Sequence, residues 1–333
     1  MSDRFLTIDV SSELDTLCEA QLRGIWQVPA ELVRLALRIG AAEVSVRSRR
    51  RSFEISWEGP TIGQDVLSDL RSALDNGLRS DIRQAAIAGL EKSGMEGLLW
   101  AAGLRGARVQ IACSEGKRHW YFPARRRRPR AAGKGPDFGA PASVVIRWRC
   151  TGLDRRRASR WLAIATRFAP ARIVLDGSVL PTGFAGGLYH LRLEEPVPCR
   201  LGLTRTGDEP VLWLLRDGVV SARATVPGYP PFEAAVELGG LVAAGASAAE
   251  MRRAATPFLG ELVDRAVWMM VQVSDRIAEM AAVDRERLGL LLLRAAHKGI
   301  RNTEIRRLPF LETAAGNDSR LSVDEVRQLA GRR

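Results

Sequence analysis

Apolar and polar positions change period several times along the chain. Leu14, Leu17, Cys18, Leu22 and Ile25 recur near helical spacing over 12–27. Val28 and Pro29 break that helix. A second begins with Pro29 in its first turn and runs through AELVRLALRIG to Gly40 as a C-cap. AEVSVRS and FEISWEG then alternate with period two on either side of the basic turn Arg49–Arg51, which predicts two strands closing at Gly59-Pro60. Helices are expected over 64–79, ended by Asn76-Gly77, then over DIRQAAIAGLEKSG and the apolar GMEGLLWAAGL. ARVQIACSEGKRHWYF reads as a strand pair with a Glu-Gly turn, and SVVIRWRC at 143–150 as another strand. Between them, residues 123–142 have no apolar period and read as an exposed Arg/Pro/Gly loop.

The pattern restarts at about 151. DRRRASRWLAIATRFA predicts a helix, and ARIVLDGSVLP a strand–turn–strand with Asp176-Gly177 at the turn. Short strands follow over 188–242 (YHLRLE, CRLGLTRT, PVLWLLRDGVV, FEAAVEL), then a helical region from Ala248 to Ala296. The expected organisation is therefore α+β in two parts, 1–150 and 151–300, with a short polar tail over 301–333.

Hydrophobic residues make up 46% and charged residues 26% of the 333 positions, enough to build a core. No apolar run is long enough to span a bilayer, and the start lacks the basic-then-apolar pattern of a secretory signal, so a cytoplasmic protein is expected. Lys+Arg is 50 against 38 Asp+Glu, a formal charge of +12. Nearly all the cations are arginine, a skew that a GC-rich coding sequence explains. The other reading is a phosphate-binding surface, for which the clusters are Arg49–Arg51, Arg125–Arg130 and Arg155–Arg157. The four cysteines form no CxxC pair and the histidines number three, so no metal site and reduced, buried thiols are expected.

Three stretches together resemble the GHKL ATPase superfamily, which includes gyrase B, mismatch-repair ATPases, histidine kinases and the 90-kDa heat-shock chaperones. They are Glu31-Leu-Val-Arg-Leu-Ala-Leu-Arg-Ile-Gly40, Ile55-Ser-Trp-Glu-Gly-Pro-Thr-Ile62, and Ser93-Gly-Met-Glu-Gly-Leu-Leu-Trp100. RFAPARIVLDGSVL and LPFLETAAGNDSRLSVDEV look like segments of bacterial chaperone-type members. The resemblance implies a helix-on-sheet sandwich followed by a second α/β domain like the chaperone middle domain. It also implies a nucleotide pocket at Glu31, Leu35, Trp57, Glu58, Gly59, Gly94 and Gly97.

On that resemblance Glu31 holds the place of the general base that activates water. The metal-holding Asn is replaced by Leu35, whose side chain offers no oxygen. The adenine-reading Asp is replaced by Trp57, a donor only, with Glu58 one residue off register. Gly59, Gly94 and Gly97 keep part of the glycine pattern, but the last lid glycine is lost. Arg155–Arg157 and Arg167 are candidates, by position, for a residue reaching the γ-phosphate. The resemblance thus points to a chaperone-like protein with an eroded ATP site, leaning away from catalysis and working through a protein partner or client. No cofactor is then expected, and no membrane role. An ATP/Mg²⁺-dependent ATPase using Glu31, a homodimer, and a nucleic-acid-binding module using the arginine clusters stay open. Phe258, Leu259, Trp268, Met269 and Met270 would serve as a partner surface if exposed, and as core otherwise.

Overall fold

The computed structural model describes residues 18, 21–115, 118–124, 133–134, 142–184, 186–204, 207–243, 245–312 and 320–330. Most of the helix expected over 12–27, and the Arg125–Arg130 cluster, lie outside them. The chain divides into two compact units. The first comprises Met1–Thr182 with Arg216–Val220 and Ala243–Ser247, and the second the remainder.

The first unit begins with helix α1 (Val28–Arg38), whose Pro29 stands at the helix start; Gly40 follows in the left-handed region at φ 91°. Strands β1 (Glu43–Arg49) and β2 (Ser52–Glu58) pair antiparallel with Arg49 opposite Ser52, so Arg50 and Arg51 form the turn. Helices α2 (Gln64–Leu74), α3 (Ser80–Ser93) and α4 (Glu96–Gly103) follow, with Gly94 capping α3 at φ 74°. Then come β3 (Arg108–Glu115), β4 (Arg118–Ala124), β5 (Gly133–Lys134), β6 (Ala142–Arg149), helix α5 (Arg155–Ala165), β7 (Arg172–Leu175) and β8 (Ser178–Val179).

The eight strands form one sheet in the order β5-β4-β3-β6-β2-β1-β7-β8. The β1–β7 pair is parallel and the other recorded pairs are antiparallel. Alternate residues decide which face is covered. Val44, Val46, Phe53, Ile55, Trp57, Ile111, Ile146 and Trp148 are buried, while Arg47, Arg49, Arg108, Arg147 and Arg149 on the other face are exposed. One face is therefore packed under helices and the other is open, the period-two pattern of a half-covered antiparallel sheet. This is the mixed α+β architecture that the sequence predicts. The expected boundary at 150 differs from the compact unit, which runs on to Thr182 because β7 adds to β1 in the same sheet.

The second unit holds a five-stranded sheet in the order β12-β11-β13-β10-β9. Its strands are β9 (Gly187–Leu193), β10 (Cys199–Thr204), β11 (Val211–Arg216), β12 (Val219–Thr225) and β13 (Glu233–Glu237). Helices α6 (Ala248–Ala255), α7 (Leu259–Ser274), α8 (Ala282–His297), α9 (Asn302–Ile305) and α10 (Val323–Ala330) follow. Met269 and Met270 are wholly buried, so this part of the apolar helical region is core. Val283, Leu290 and Leu293 of α8 are 75%, 46% and 39% exposed. At 100° per residue they share one helical face.

Candidate functional site

Helix α1 carries Glu31 in its first turn and Arg34 one turn on. Arg34 is buried to 1% exposure, an unusual place for a guanidinium, and it is satisfied on every side. Its Nε donates to Glu31 Oε2 at 2.8 Å, its Nη2 to Glu96 Oε1 at 2.8 Å and its Nη1 to Asp217 Oδ2 at 3.2 Å. Burial alone would lower the Arg34 pKa. The facing carboxylates of Glu31, Glu96 and Asp217 outweigh that burial and hold the pKa above its ordinary value. The guanidinium also lies 5.8 Å from the centre of the Trp100 ring.

Two further arginines close the network. Arg216 Nη2 donates to Glu96 Oε1 at 2.9 Å, and Arg38 Nη1 donates to Asp217 Oδ1 at 3.1 Å. Three arginines thus face three carboxylates, and the formal charges cancel. Glu96, 1% exposed, leaves its Oε2 without a partner, as Arg216 leaves its Nε.

The backbone makes this arrangement reachable. Gly97 lets α4 approach α1, since a Cβ there would lie 3.3 Å from the Glu31 carbonyl oxygen and 3.7 Å from Arg34 Nη2. Asp217 and Gly218 form a turn with φ 50° and 76°, both in the left-handed region, as an Asp-Gly hairpin turn requires. Gly218 also packs tightly, because a Cβ there would lie 2.6 Å from Pro170 Cδ.

Of the residues singled out in the sequence, Glu31 and Gly97 are brought together, and Gly94 stands against Arg38, whose Nε would lie 2.9 Å from an added Cβ. Leu35 is wholly buried. Trp57 is 3% exposed and donates its indole N–H to the Pro60 carbonyl at 2.8 Å. Glu58 and Gly59 are exposed at the end of β2, and Gly59 has φ 99°. Arg157 stacks over Trp26, 4.5 Å from the ring centre, and Arg167 lies 5.1 Å from the Phe168 ring centre; neither forms part of the Glu31 network.

The sequence reading missed Arg34, Glu96, Arg216 and Asp217. Arg34 carried one local signal, its i, i+3 spacing from Glu31. The other three are 62 to 183 positions from Arg34 or from each other along the paired contacts, and no local pattern joins them.

Other chemistry-bearing groups are elsewhere. His119 Nδ1 is 2.7 Å from Ser114 Oγ. The four cysteines are buried and form no disulfide. Burial pushes the Cys113 thiol up to about 11, and burial with Glu261 and Glu194 does the same for Cys199. Among the described residues no cluster of His, Cys, Asp and Glu could hold a metal ion. None of their helices is long and apolar enough to cross a membrane.

No family model and no curated protein matches the chain. Among solved structures it is similar to the B-subunit of the DNA gyrase from Myxococcus xanthus, at 14% identity and a TM-score of 0.43. That likeness covers 71% of this chain and 88% of the other. A likeness of that size says nothing of activity.

Proposed function

We propose that the chain is a GHKL-type, chaperone-like protein whose nucleotide site no longer hydrolyses ATP and which acts through protein contacts. One observation carries this reading: the Glu31 carboxylate is bound at 2.8 Å by Arg34, itself 1% exposed and held by two further carboxylates. A general base needs a lone pair aimed at water, and Oε2 of Glu31 is spent instead on the buried guanidinium. The network's three guanidiniums and three carboxylates cancel, so it offers a Mg²⁺-bound phosphate no net charge of either sign. Buried Leu35 and the internally bonded Trp57 agree with the loss of metal and base contacts. The exposed Val283, Leu290 and Leu293 face of α8 supports a role in protein contacts.

Calorimetric titration with ATP, with and without Mg²⁺, tests the first part. The expected result is no heat of binding and no thermal shift. A ligand at a hundred times its Kd adds about 2.7 kcal/mol, which for a unit of this size is a shift of roughly 5–10 °C. A Mg²⁺-dependent shift of that order, with turnover abolished by Glu31→Ala, would overturn the reading in favour of an active ATPase. For the second part, Leu290→Asp with Leu293→Asp should weaken suppression of aggregation of a heat-denatured client. An unchanged effect would remove α8 from the contact surface.

A further inference from the structure

Two arginine clusters a hundred positions apart meet at one end of the first unit's sheet. The register brings them together. Ser52 of β2 pairs with Arg149 of β6, and Cys150 N–H donates to the Arg51 carbonyl at 3.3 Å. The β1–β2 turn therefore abuts the segment that leads, through Gly152 at φ 81°, into α5. Arg50, Arg51, Arg155 and Arg156, all exposed, line a surface cavity of about 640 Å³ with Gly152, Leu153 and Asp154. The one carboxylate there, Asp154, is engaged, since its Oδ1 accepts the Arg157 N–H at 3.0 Å as the cap of α5.

The open face of the sheet extends this surface. Arg49, Ser52, Arg149 and Arg108 stand in one row across β1, β2, β6 and β3, and all three arginines are exposed. With strands about 4.8 Å apart, the row spans about 14 Å. Among the described residues none of these seven arginines forms an ion pair. That contrasts with the next row on the same face, where Glu54 lies between Arg47, at 3.8 Å, and Arg147, at 2.6 Å. The first turn of α5 contains no acidic residue, so its arginines stand at the positive end of the helix dipole, where cations are unfavourable. An anion bound there would relieve both repulsions.

We propose that this arginine surface binds the sugar–phosphate backbone of duplex nucleic acid. A single phosphate would engage two or three of the guanidiniums, whereas a row of about 14 Å matches the repeated charges of a polymer. Guanidiniums suit phosphate because their planar fork bonds two oxygens at once. A lipid surface fits less well, because the exposed large apolar side chains of this unit, Leu78, Ile82, Ile164 and Val179, are not part of the patch. The contact is to backbone phosphates, with no sequence preference. It does not depend on whether the Glu31 site binds nucleotide.

The test is fluorescence anisotropy of a labelled random-sequence 20-base-pair duplex, titrated with the full chain from 50 to 300 mM KCl. The expected slope of log K against log[KCl] is about −4, at about −0.9 per phosphate neutralised. Arg50→Glu with Arg155→Glu should weaken binding at least tenfold at 100 mM KCl and make the slope shallower by about 2. The charge-matched control, Arg253→Glu with Arg276→Glu in the second unit, should stay within twofold. If the first pair lowers the melting temperature, Arg50→Gln with Arg155→Gln replaces it, with at least a threefold loss expected. The proposal is overturned if the duplex does not bind, if both pairs weaken binding equally, if neither does, or if phosphatidylserine vesicles bind and the duplex does not.

Discussion

Replacing Arg34 by leucine separates a structural network from an incidental set of contacts. The guanidinium is 1% exposed and meets carboxylates at 2.8, 2.8 and 3.2 Å. Glu31 and Asp217 are 14% and 17% exposed, so water can take over their lost bonds in part. Glu96 is 1% exposed, its Oε2 already lacks a partner, and only Arg216 would still hold it. Breaking a buried ion pair from one side destabilises by about 3–5 kcal/mol, because the remaining charge is left uncompensated. Arg34→Leu should therefore lose about 3–5 kcal/mol. Glu96→Leu should lose a similar amount, about 3–5 kcal/mol, since Arg34 keeps two carboxylates but the buried Arg216 loses its own. The double variant removes both members of the Arg34–Glu96 pair and should fall short of the sum by about 2–3 kcal/mol. Urea unfolding followed by tryptophan fluorescence reads this, because six of the eight tryptophans lie in the first unit. Additivity within about 0.5 kcal/mol, or a loss below about 1 kcal/mol for Arg34→Leu, would refute the coupling and with it the clamp on Glu31.

Other substitutions probe separate links. Gly97→Ala should destabilise by about 1–2 kcal/mol, because the new methyl presses on the Glu31 carbonyl where α1 and α4 meet; thermal unfolding measures it. Gly218→Ala combines a strained left-handed φ with a clash against Pro170, and should lower the melting temperature more than Gly152→Ala, whose added Cβ meets nothing. Asp154→Ala removes the cap of α5 and should lose about 1 kcal/mol in urea unfolding. The Cys113 thiol, raised from 9.0 to about 11 by burial, favours the fold while both states are protonated. That contribution is complete below pH 9 and is lost as pH rises through 11, so Cys113→Ala should flatten the fall in stability over this window.

The period-two stretches were legible because a half-covered antiparallel sheet forces alternation, and β1, β2, β4 and β6 show it. Two hairpins were legible for a local reason, the Arg50-Arg51 and Asp176-Gly177 turns, whereas PVLWLLRDGVV, read as one strand, turns at Asp217-Gly218 into β11 and β12. The parallel pairing of β1 with β7 was not legible, since Val44 and Ile173 meet with no turn between them to announce it. That is why the first unit reaches Thr182 instead of ending near 150. At the site, Gly97 packs against the Glu31 carbonyl. The role of Arg34 did not follow, because a lone arginine in an amphipathic helix reads as solvated. Only the fold brings Glu96 and Asp217 to it.

The same residue type therefore does two opposite things here, and its abundance distinguishes neither. Arg34 is buried with three carboxylates, whereas Arg50, Arg51, Arg155 and Arg156 are exposed without any ion pair among the described residues. A coding bias toward arginine would scatter cations over outward positions and leave acids to fall beside them at random. On the open face of the sheet one row has Glu54 between Arg47 and Arg147, and the adjoining row has Ser52 in the equivalent place among Arg49, Arg149 and Arg108. The information lies in where the acids stand. Inside the unit they stand against every guanidinium of the Glu31 network, so its formal charges cancel. At the sheet end Asp154 stands alone among the lining residues against Arg50, Arg51, Arg155 and Arg156, which leaves a net positive field.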